Sequence, residues 1–337
     1  MRLVTRADFD GLVCGALITK FEKIDSYLFV EPKFMQDGLV EVRSGDIIAN
    51  LPYHPNCSLW FDHHITNTMP EFDRPIVPGR GGFRLAPSAA RVVYEYYTEL
   101  AANPHPVAMA QHAPEDGSAA ADAAPVEPAE IRKFLTTDRL KYLLQEADRI
   151  DAGQLTRDDV MNPQGYVLVS MTTDGRYAED EPYWRRIIDL LRDKSLEETM
   201  QDPEVARRCQ KVLDYQEKLR AILLNNTTLK GNVIYVDLRQ VHDIPDGNRF
   251  LLFTLFPQGN IAVKVSYDTQ RENTTAISVG YNIFNKTSSV NVGELLQRYG
   301  GGGHHVVGSC RVPNDKAEQA IKEIVAAVTE KALGKRQ

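Results

Sequence analysis

The chain has 337 residues, of which 43% are apolar and 25% charged, and its formal net charge is −7. This composition argues against disorder over most of the chain, and the length exceeds what one hydrophobic core usually supports, so we expect two domains. The negative charge argues against non-specific binding of duplex nucleic acid. Without an early apolar run typical of a secretory signal or a membrane anchor, a cytoplasmic location is expected.

Short β-prone runs near the start of the chain predict a parallel sheet. They cover residues 3–5, 27–30, 47–49 and 59–61, and most of them lead directly into a polar or charged cluster. Buried parallel strands have this pattern. Residues 11–21 have the composition of a crossover helix between the first two strands. Alternation of strand and helix predicts an α/β domain.

The middle of the chain predicts helices separated by an insertion. Ser88 begins an amphipathic helix, and residues 130–151 are helical again and end in an acidic cluster. Between them, residues 103–128 are rich in Ala, Pro and Gly and predict a mobile surface insertion. We therefore expect a first domain over residues 1–188 and a helical linker over residues 189–226.

Residues 227–337 predict a smaller mixed α/β domain. Its expected strands are residues 233–236, 250–255, 261–265 and 276–279. A closing helix is indicated by apolar residues at helical spacing between Ala317 and Val328.

Polar clusters follow the predicted strands of the first domain, and they suggest a metal centre. The carboxyl ends of parallel strands meet at one crevice, where ligands bind. Mixed carboxylate and imidazole ligands suit manganese, iron or zinc. Each cluster alone has a simpler interpretation, a turn for the Asp-x-Asp-Gly string and a packing or capping role for the histidines. The residues concerned are Asp8, Asp10, Asn50, Asp62, His63 and His64.

A glycine run near the C-terminus predicts a phosphate site. Residues 300–303 are all glycine and precede His304, so backbone amides there can approach an anion without a Cβ in the way. A flexible loop would also explain four glycines, but such a loop does not need the histidine. We therefore expect Gly301, Gly302, Gly303 and His304 to bind phosphate.

Together these strings resemble the DHH phosphoesterase superfamily with its DHHA1 C-terminal domain, and in particular its exopolyphosphatase-related and oligoribonuclease-like members. The resemblance covers nearly the whole chain. It implies an active site in the cleft between the two domains, with Lys286 near the position of a basic phosphate-binding residue. It also implies that Asp8 and Asp10 bind separate ions and that His63 is a metal ligand. Either Asp148, which we prefer, or Asp151 completes the set, and His64 and Asp62 act in catalysis.

Two departures from the family pattern leave the number of ions at one or two. Relatives carry a histidine shortly before the first aspartate pair, where this chain has Thr5-Arg6-Ala7. Relatives also have a bridging aspartate at the end of the third strand, where this chain has Asn50. An amide oxygen is still a metal ligand, but it brings no charge. Asp46, at the start of that strand, is the other acidic candidate.

The function expected is a metal-dependent phosphohydrolase that cleaves phosphoester or phosphoanhydride bonds in short, linear, phosphate-rich substrates. Polyphosphate, short oligonucleotides and phosphoadenosine phosphate all fit, and manganese is the expected ion. The alternative is a catalytically weak protein that binds a nucleotide as a sensor. No membrane or duplex nucleic-acid partner is expected, and a homodimer is compatible with the sequence.

Overall fold

The computed structural model describes residues 1–64, 67, 75–103, 127–175, 177–245, 247–248, 250–268 and 271–333. Residues 104–126, nearly all of the expected insertion, lie outside this set. The chain divides into two compact units, one formed by Met1–Leu155 with Gln164–Cys209 and the other by Thr156–Pro163 with Gln210–Gln337. None of the helices within the described residues is long and apolar enough to cross a membrane.

The first unit contains a six-stranded sheet in the order β2-β1-β3-β4-β6-β5. All neighbours are parallel except β5 and β6. The sequence predicted the first four strands, whereas the two-residue and three-residue strands that follow were too short to detect. The strands are β1 (Arg2–Thr5), β2 (Ser26–Phe29), β3 (Ile47–Ala49), β4 (Leu59–Asp62), β5 (Ile76–Val77) and β6 (Gly81–Phe83).

Helices pack around this sheet, and three of them, α1, α3 and α5, contribute to the site described below. Their bounds are α1 (Phe9–Phe21), α2 (Pro32–Gln36), α3 (Ala89–Ala102), α4 (Pro128–Leu135), α5 (Asp138–Asp151), α7 (Gly165–Ser170), α8 (Glu181–Asp193) and α9 (Leu196–Gln201). The helix expected over residues 130–151 is therefore two helices, α4 and α5. Helix α3 begins where predicted, because the Ser88 side chain accepts a hydrogen bond from the Arg91 amide and caps it.

The division between the units differs from the predicted linker. Residues 189–201 belong to α8 and α9 in the first unit, and α10 (Pro203–Asn225) leads from one unit into the other. A short helix, α6 (Arg157–Met161), belongs to the second unit. Its last turn is held by Gln216, whose Nε2 atom donates to the carbonyls of Val160 and Met161 at 3.2 and 2.8 Å.

The second unit contains a six-stranded sheet in the order β11-β12-β10-β9-β8-β7. Only β8 and β9 are parallel. Apolar residues of this sheet and of the closing helix α13 form one buried core. The elements are β7 (Thr227–Lys230), β8 (Val233–Asp237), α11 (Leu251–Leu255), β9 (Ile261–Tyr267), β10 (Thr274–Tyr281), α12 (Val292–Gln297), β11 (Gly302–Gly303), β12 (Val307–Pro313) and α13 (Asn314–Leu333).

The strand predicted over residues 250–255 is wrong, because this segment forms the short helix α11. A short, continuous apolar run does not distinguish a buried strand from one turn of buried helix by periodicity. The first three residues of this helix are buried, so either structure would have satisfied the hydrophobic pattern.

Candidate metal centre and phosphate loop

Asp8 lies between β1 and α1 and caps that helix. Its Oδ1 atom accepts hydrogen bonds from the Gly11 amide at 2.9 Å and from Asn50 Nδ2 at 3.0 Å. Its Oδ2 atom lies 2.7 Å from Nη1 of Arg6. Gly11 is needed in this turn, since a Cβ there would lie 2.3 Å from the Arg6 carbonyl oxygen. Asp8 therefore has a neutral neighbour on one oxygen and a cationic neighbour on the other.

Asp10 lies in the first turn of α1 and is almost completely buried. Its two oxygens accept hydrogen bonds from the amides of Ala89 and Ala90, both at 2.8 Å, at the start of α3. Burial raises the pKa of Asp10 well above its usual value, and the nearby carboxylates of Asp151 and Asp8 raise it further. The two amides oppose this rise. A buried carboxylate next to other carboxylates is stabilised in its ionised form by a nearby cation.

Asn50 follows β3 in a left-handed conformation, with φ of 59°. Its Nδ2 atom donates to Asp8, and its Oδ1 atom is buried without a hydrogen-bond partner among the described residues. Asp46, at the other end of the same strand, is bound by Arg2, with Nη2 of Arg2 2.5 Å from its Oδ2 atom. Asn50 thus lies beside Asp8, whereas Asp46 is paired with Arg2.

Asp62 ends β4 and is fully buried. Its Oδ1 atom accepts from the His63 amide at 2.8 Å and lies 2.8 Å from Nδ1 of His64, while its Oδ2 atom accepts from Asn67 Nδ2 at 2.6 Å. Hydrogen bonding to Asp62 raises the pKa of His64, although burial opposes this. Asp62 thus orients His64 and favours its protonated form.

His63 provides an unpartnered nitrogen at the centre of the site. Its Nδ1 atom lies 2.9 Å from the Ala86 carbonyl oxygen, which places a proton on Nδ1, so the neutral ring has its lone pair on Nε2. The Nε2 atom is buried without a hydrogen-bond partner among the described residues. It lies 3.4 Å from Asp151 Oδ2 and 3.9 Å from Asp10 Oδ2.

The ligand atoms of Asp10, His63 and Asp151 all lie within 4.8 Å of one another. Two carboxylate oxygens and an imidazole nitrogen without a donor are the ligand set that manganese, iron or zinc prefers. A buried acceptor with no partner is costly, and an ion would satisfy it. These three residues therefore fit a divalent metal ion.

Asp148 and Asp151, the two alternatives left by the sequence, occupy different environments. Asp148 accepts from Ser88 Oγ at 2.6 Å and from Arg91 Nε at 3.0 Å, with a further contact to Nη2 of Arg91. Asp151 has its contact with His63 instead. Burial raises the pKa of Asp151, and His63 is the largest opposing influence. The geometry therefore brings Asp151, and not Asp148, to the other ligands.

The sequence did not single out Arg6, which contacts Asp8 in the structure. A basic residue two positions before the first aspartate was the available signal, since it occupies the region where relatives carry a histidine.

The glycine run lies in the second unit, around the hairpin of β11 and β12. The amides of Gly300, Gly301 and His304 donate to carbonyl oxygens within the fold, at 3.1, 3.0 and 2.8 Å. Those three amides are therefore unavailable to an anion, and the backbone nest predicted from the sequence is not present at these positions. A Cβ on Gly301 would lie 2.3 Å from the Ser309 carbonyl oxygen, whereas a Cβ on Gly302 would meet nothing within 4 Å.

The predicted side-chain ligands of phosphate are exposed. Lys286 lies in the loop after β10, and His304 lies in the turn between β11 and β12. Among the described residues, neither side chain has an ion pair. The same loop contains Phe284, whose half-buried ring lies under the guanidinium of Arg157 with 5.7 Å between Cζ and the ring centroid.

Comparisons with known proteins identify the family. No protein-family model matches the chain, and a search of curated proteins also gave no match. Among solved structures, the pGpG-specific phosphodiesterase PggH from Vibrio cholerae is 30% identical, with a TM-score of 0.78 over 98% of this chain and 99% of that one.

More distant structures share the fold. An exopolyphosphatase-related protein from Bacteroides fragilis is 12% identical, with a TM-score of 0.50 over 98% of this chain and 92% of its own. RecJ from Thermus thermophilus in complex with Mn²⁺ is 13% identical, with a TM-score of 0.51 over 98% of this chain and 52% of its own. All three are DHH-superfamily members. The chain therefore belongs to the DHH phosphoesterase superfamily and is a metal-dependent phosphoester hydrolase.

Proposed function

We propose that this chain is a manganese-dependent phosphodiesterase that cleaves short, linear, 5′-phosphorylated dinucleotides of the pGpG kind. The observation that carries the proposal is the similarity to a pGpG-specific phosphodiesterase, which extends over 98% of this chain at 30% identity. In this proposal the second unit is the DHHA1-type substrate domain. Water adds to the phosphorus, the bond to the 3′-oxygen breaks, and two mononucleotides leave.

The metal in this proposal is held by Asp10, His63 and Asp151. Their converging ligand atoms and the unpartnered Nε2 of His63 support the assignment. When bound, a divalent ion polarises the phosphoryl group and acidifies the attacking water. The chain's own residues do the remaining work. The amides of Ala89 and Ala90 fix the orientation of the Asp10 carboxylate.

His64 is the proton donor for the leaving 3′-oxygen. Nδ1 of His64 donates a hydrogen bond to Asp62. In the protonated ring the other nitrogen, Nε2, therefore carries the proton that is transferred. The raised pKa of His64 keeps that proton in place at higher pH than an isolated histidine would. The His64 side chain is 40% exposed, so a substrate has access to it.

A nucleotide fits the second unit better than polyphosphate does. The guanidinium of Arg157 lies over the ring of Phe284, with 5.7 Å between Cζ and the ring centroid, and in this proposal a nucleobase binds against this cation–π pair. Lys286, two residues further on, supplies a charge for the 5′-phosphate. Polyphosphate has no ring to stack and would gain nothing from Phe284. The aromatic pair therefore favours a dinucleotide.

The test is a comparison of substrates with one purified protein. Release of mononucleotides from pGpG and pApA is measured beside phosphate release from polyphosphate and phosphoadenosine phosphate, with Mn²⁺, Mg²⁺ or chelator. We expect the dinucleotides to react at least about ten-fold faster than the other substrates, and only with metal. Asp10→Asn and His63→Asn should nearly abolish turnover with the fold intact. Tight binding of pGpG without turnover in any metal would instead identify the nucleotide sensor.

A further inference from the structure

Arg6 places a guanidinium directly beside the metal centre. Its Nη1 atom lies 2.7 Å from Asp8 Oδ2, and its Nη2 atom lies 3.7 Å from Oε2 of Glu31. The side chain is only 26% exposed, and its Nε atom is buried without an acceptor among the described residues. A cation held this deeply beside a carboxylate is part of the electrostatics of the site, and not a solvated surface charge.

Asp8 has little capacity left for a metal ion. An ionised carboxylate has about four lone-pair directions. In Asp8 three of them are taken, two by the Gly11 amide and Asn50 Nδ2 and one by Arg6. Asp10 accepts only two hydrogen bonds, both from backbone amides, and contributes to the converging ligand set. The two aspartates of the Asp-Phe-Asp string therefore differ in their partners.

Asn50 reinforces the difference. Its amide donates to Asp8, which an aspartate at this position would not do. A carboxylate there would instead repel Asp8, and a second metal ion between the two would be needed to offset the repulsion. With asparagine at residue 50 and arginine at residue 6, Asp8 is satisfied without any ion.

The charges of Asp8, Asp10 and Asp151 balance with Arg6 and one ion, and Glu31, 3.7 Å from Nη2 of Arg6, is an acidic group outside this sum. The guanidinium of Arg6 neutralises Asp8, and one divalent ion neutralises Asp10 and Asp151. Asp62 is satisfied separately by amide and imidazole donors. A second divalent ion would leave an excess of positive charge and would have to displace Arg6 from Asp8.

We propose that Arg6 is a built-in second cation: the chain binds one divalent ion, and the Arg6 guanidinium binds a non-bridging oxygen of the substrate phosphate. Arginine suits this contact, because its five N–H groups let the guanidinium keep Asp8 on Nη1 and still donate another N–H to a phosphate oxygen. The inference rests on the metal-dependent function proposed above, and it adds a substrate-binding residue and an ion count to that function.

The first test measures metal content without any substrate. Wild-type protein, Arg6→Ala and Asp151→Asn are equilibrated with excess Mn²⁺, and bound manganese per chain is determined by elemental analysis. We expect one ion in the wild type, a second and weaker ion in Arg6→Ala because Asp8 is released, and weaker binding of the single ion in Asp151→Asn. Two tightly held ions in the wild type would overturn the inference alone. Absence of any bound ion would overturn the proposed function itself.

The second test separates charge from geometry at residue 6. Arg6→Lys keeps the positive charge beside Asp8 but loses the guanidinium, and thermal unfolding verifies that each variant is folded. We expect Arg6→Lys to bind one ion like the wild type, with kcat/KM on pGpG reduced about ten-fold to one-hundred-fold, the size of one lost charge-assisted hydrogen bond. Unchanged kcat/KM in both Arg6→Ala and Arg6→Lys would overturn the role of Arg6.

Discussion

The Nε2 atom of His63 lies 3.4 Å from Asp151 Oδ2, near the C-terminal end of α5. One turn earlier on the same helix, Asp148 is bound by Ser88 and Arg91. The two carboxylates of helix α5 thus have different roles. Asp151 lies near the other metal ligands, and Asp148 connects α5 to α3. The contrast supplies a matched pair of variants.

We expect Asp151→Asn to weaken Mn²⁺ binding at least about ten-fold. Changing a residue that only supports a metal ligand already lowers metal affinity by about that factor. Asp148→Asn should leave Mn²⁺ affinity nearly unchanged and lower the free energy of unfolding by about 1–3 kcal/mol, because Arg91 loses its carboxylate partner. Isothermal titration with Mn²⁺ and chemical denaturation measure the two effects. The reverse pattern, with metal loss in Asp148→Asn, would assign that carboxylate to the centre instead.

Stability should depend on pH through Glu22, at the end of α1. Burial raises the pKa of Glu22 from 4.5 to about 7, although a hydrogen bond from Tyr97 opposes the shift. The folded state therefore binds this proton more tightly than the unfolded state. The stabilisation from Glu22 is fully present below about pH 4.5 and is lost as the pH rises to about 7, for a total of about 3 kcal/mol.

Glu22→Gln removes this titration and keeps the shape of the side chain. We expect the difference in unfolding free energy between the variant and the wild type to change in favour of the variant between pH 5 and pH 7.5. Denaturant titrations of both proteins at several pH values measure it. A difference that stays constant over this range would mean that Glu22 ionises at its usual pKa.

The sequence predicted the parts of the site that depend on strand ends, and it missed those that depend on side-chain partners. The positions of Asp10 and His63 follow from the rule that parallel strands end at one edge. The choice between Asp148 and Asp151 does not, because both lie in one acidic cluster and only the packing of α5 against α3 decides which one meets Arg91. Likewise, the sequence shows a basic residue two positions before Asp8, but it does not show which carboxylate Arg6 contacts.

The glycine run illustrates the same limit. Four consecutive glycines predicted free backbone amides, but the amides of Gly300 and Gly301 donate to carbonyl oxygens at the C-terminal end of α12, and the His304 amide donates within the β11–β12 hairpin. Glycine is required where two backbone segments pack closely and also where a backbone binds an anion. The sequence alone does not distinguish these two reasons for a glycine run.

Two neighbouring glycines distinguish these reasons experimentally. Gly301→Ala places a Cβ 2.3 Å from the Ser309 carbonyl oxygen, so it should destabilise the fold by about 1–3 kcal/mol or more. Gly302→Ala meets no protein atom within 4 Å and should unfold at nearly the wild-type temperature. If the open side of Gly302 receives a phosphate, KM for pGpG rises about ten-fold in this variant. An unchanged KM would restrict the glycines to a structural role.

Lys286 is expected to act on substrate binding and not on the chemical step. The Lys286 side chain is exposed and forms no ion pair within the described part of the chain, so it is available to bind a substrate phosphate. Loss of one charge-assisted hydrogen bond costs about 1.5–3 kcal/mol, equivalent to roughly ten-fold to one-hundred-fold in binding. Lys286→Ala should raise KM for pGpG by that factor and leave kcat nearly unchanged.

An activated aryl phosphodiester provides the control for Lys286, because it has a scissile phosphate but no second phosphate for the lysine to bind. We expect Lys286→Ala to cleave this substrate at nearly the wild-type rate, and His304→Ala to show the same selectivity. Lys286→Arg should restore most of the affinity for pGpG, since it returns a cation to the loop. Equal losses on both substrates would show that the loop shapes the metal centre or the fold, and binding of the substrate at two separate phosphates would then have to be abandoned.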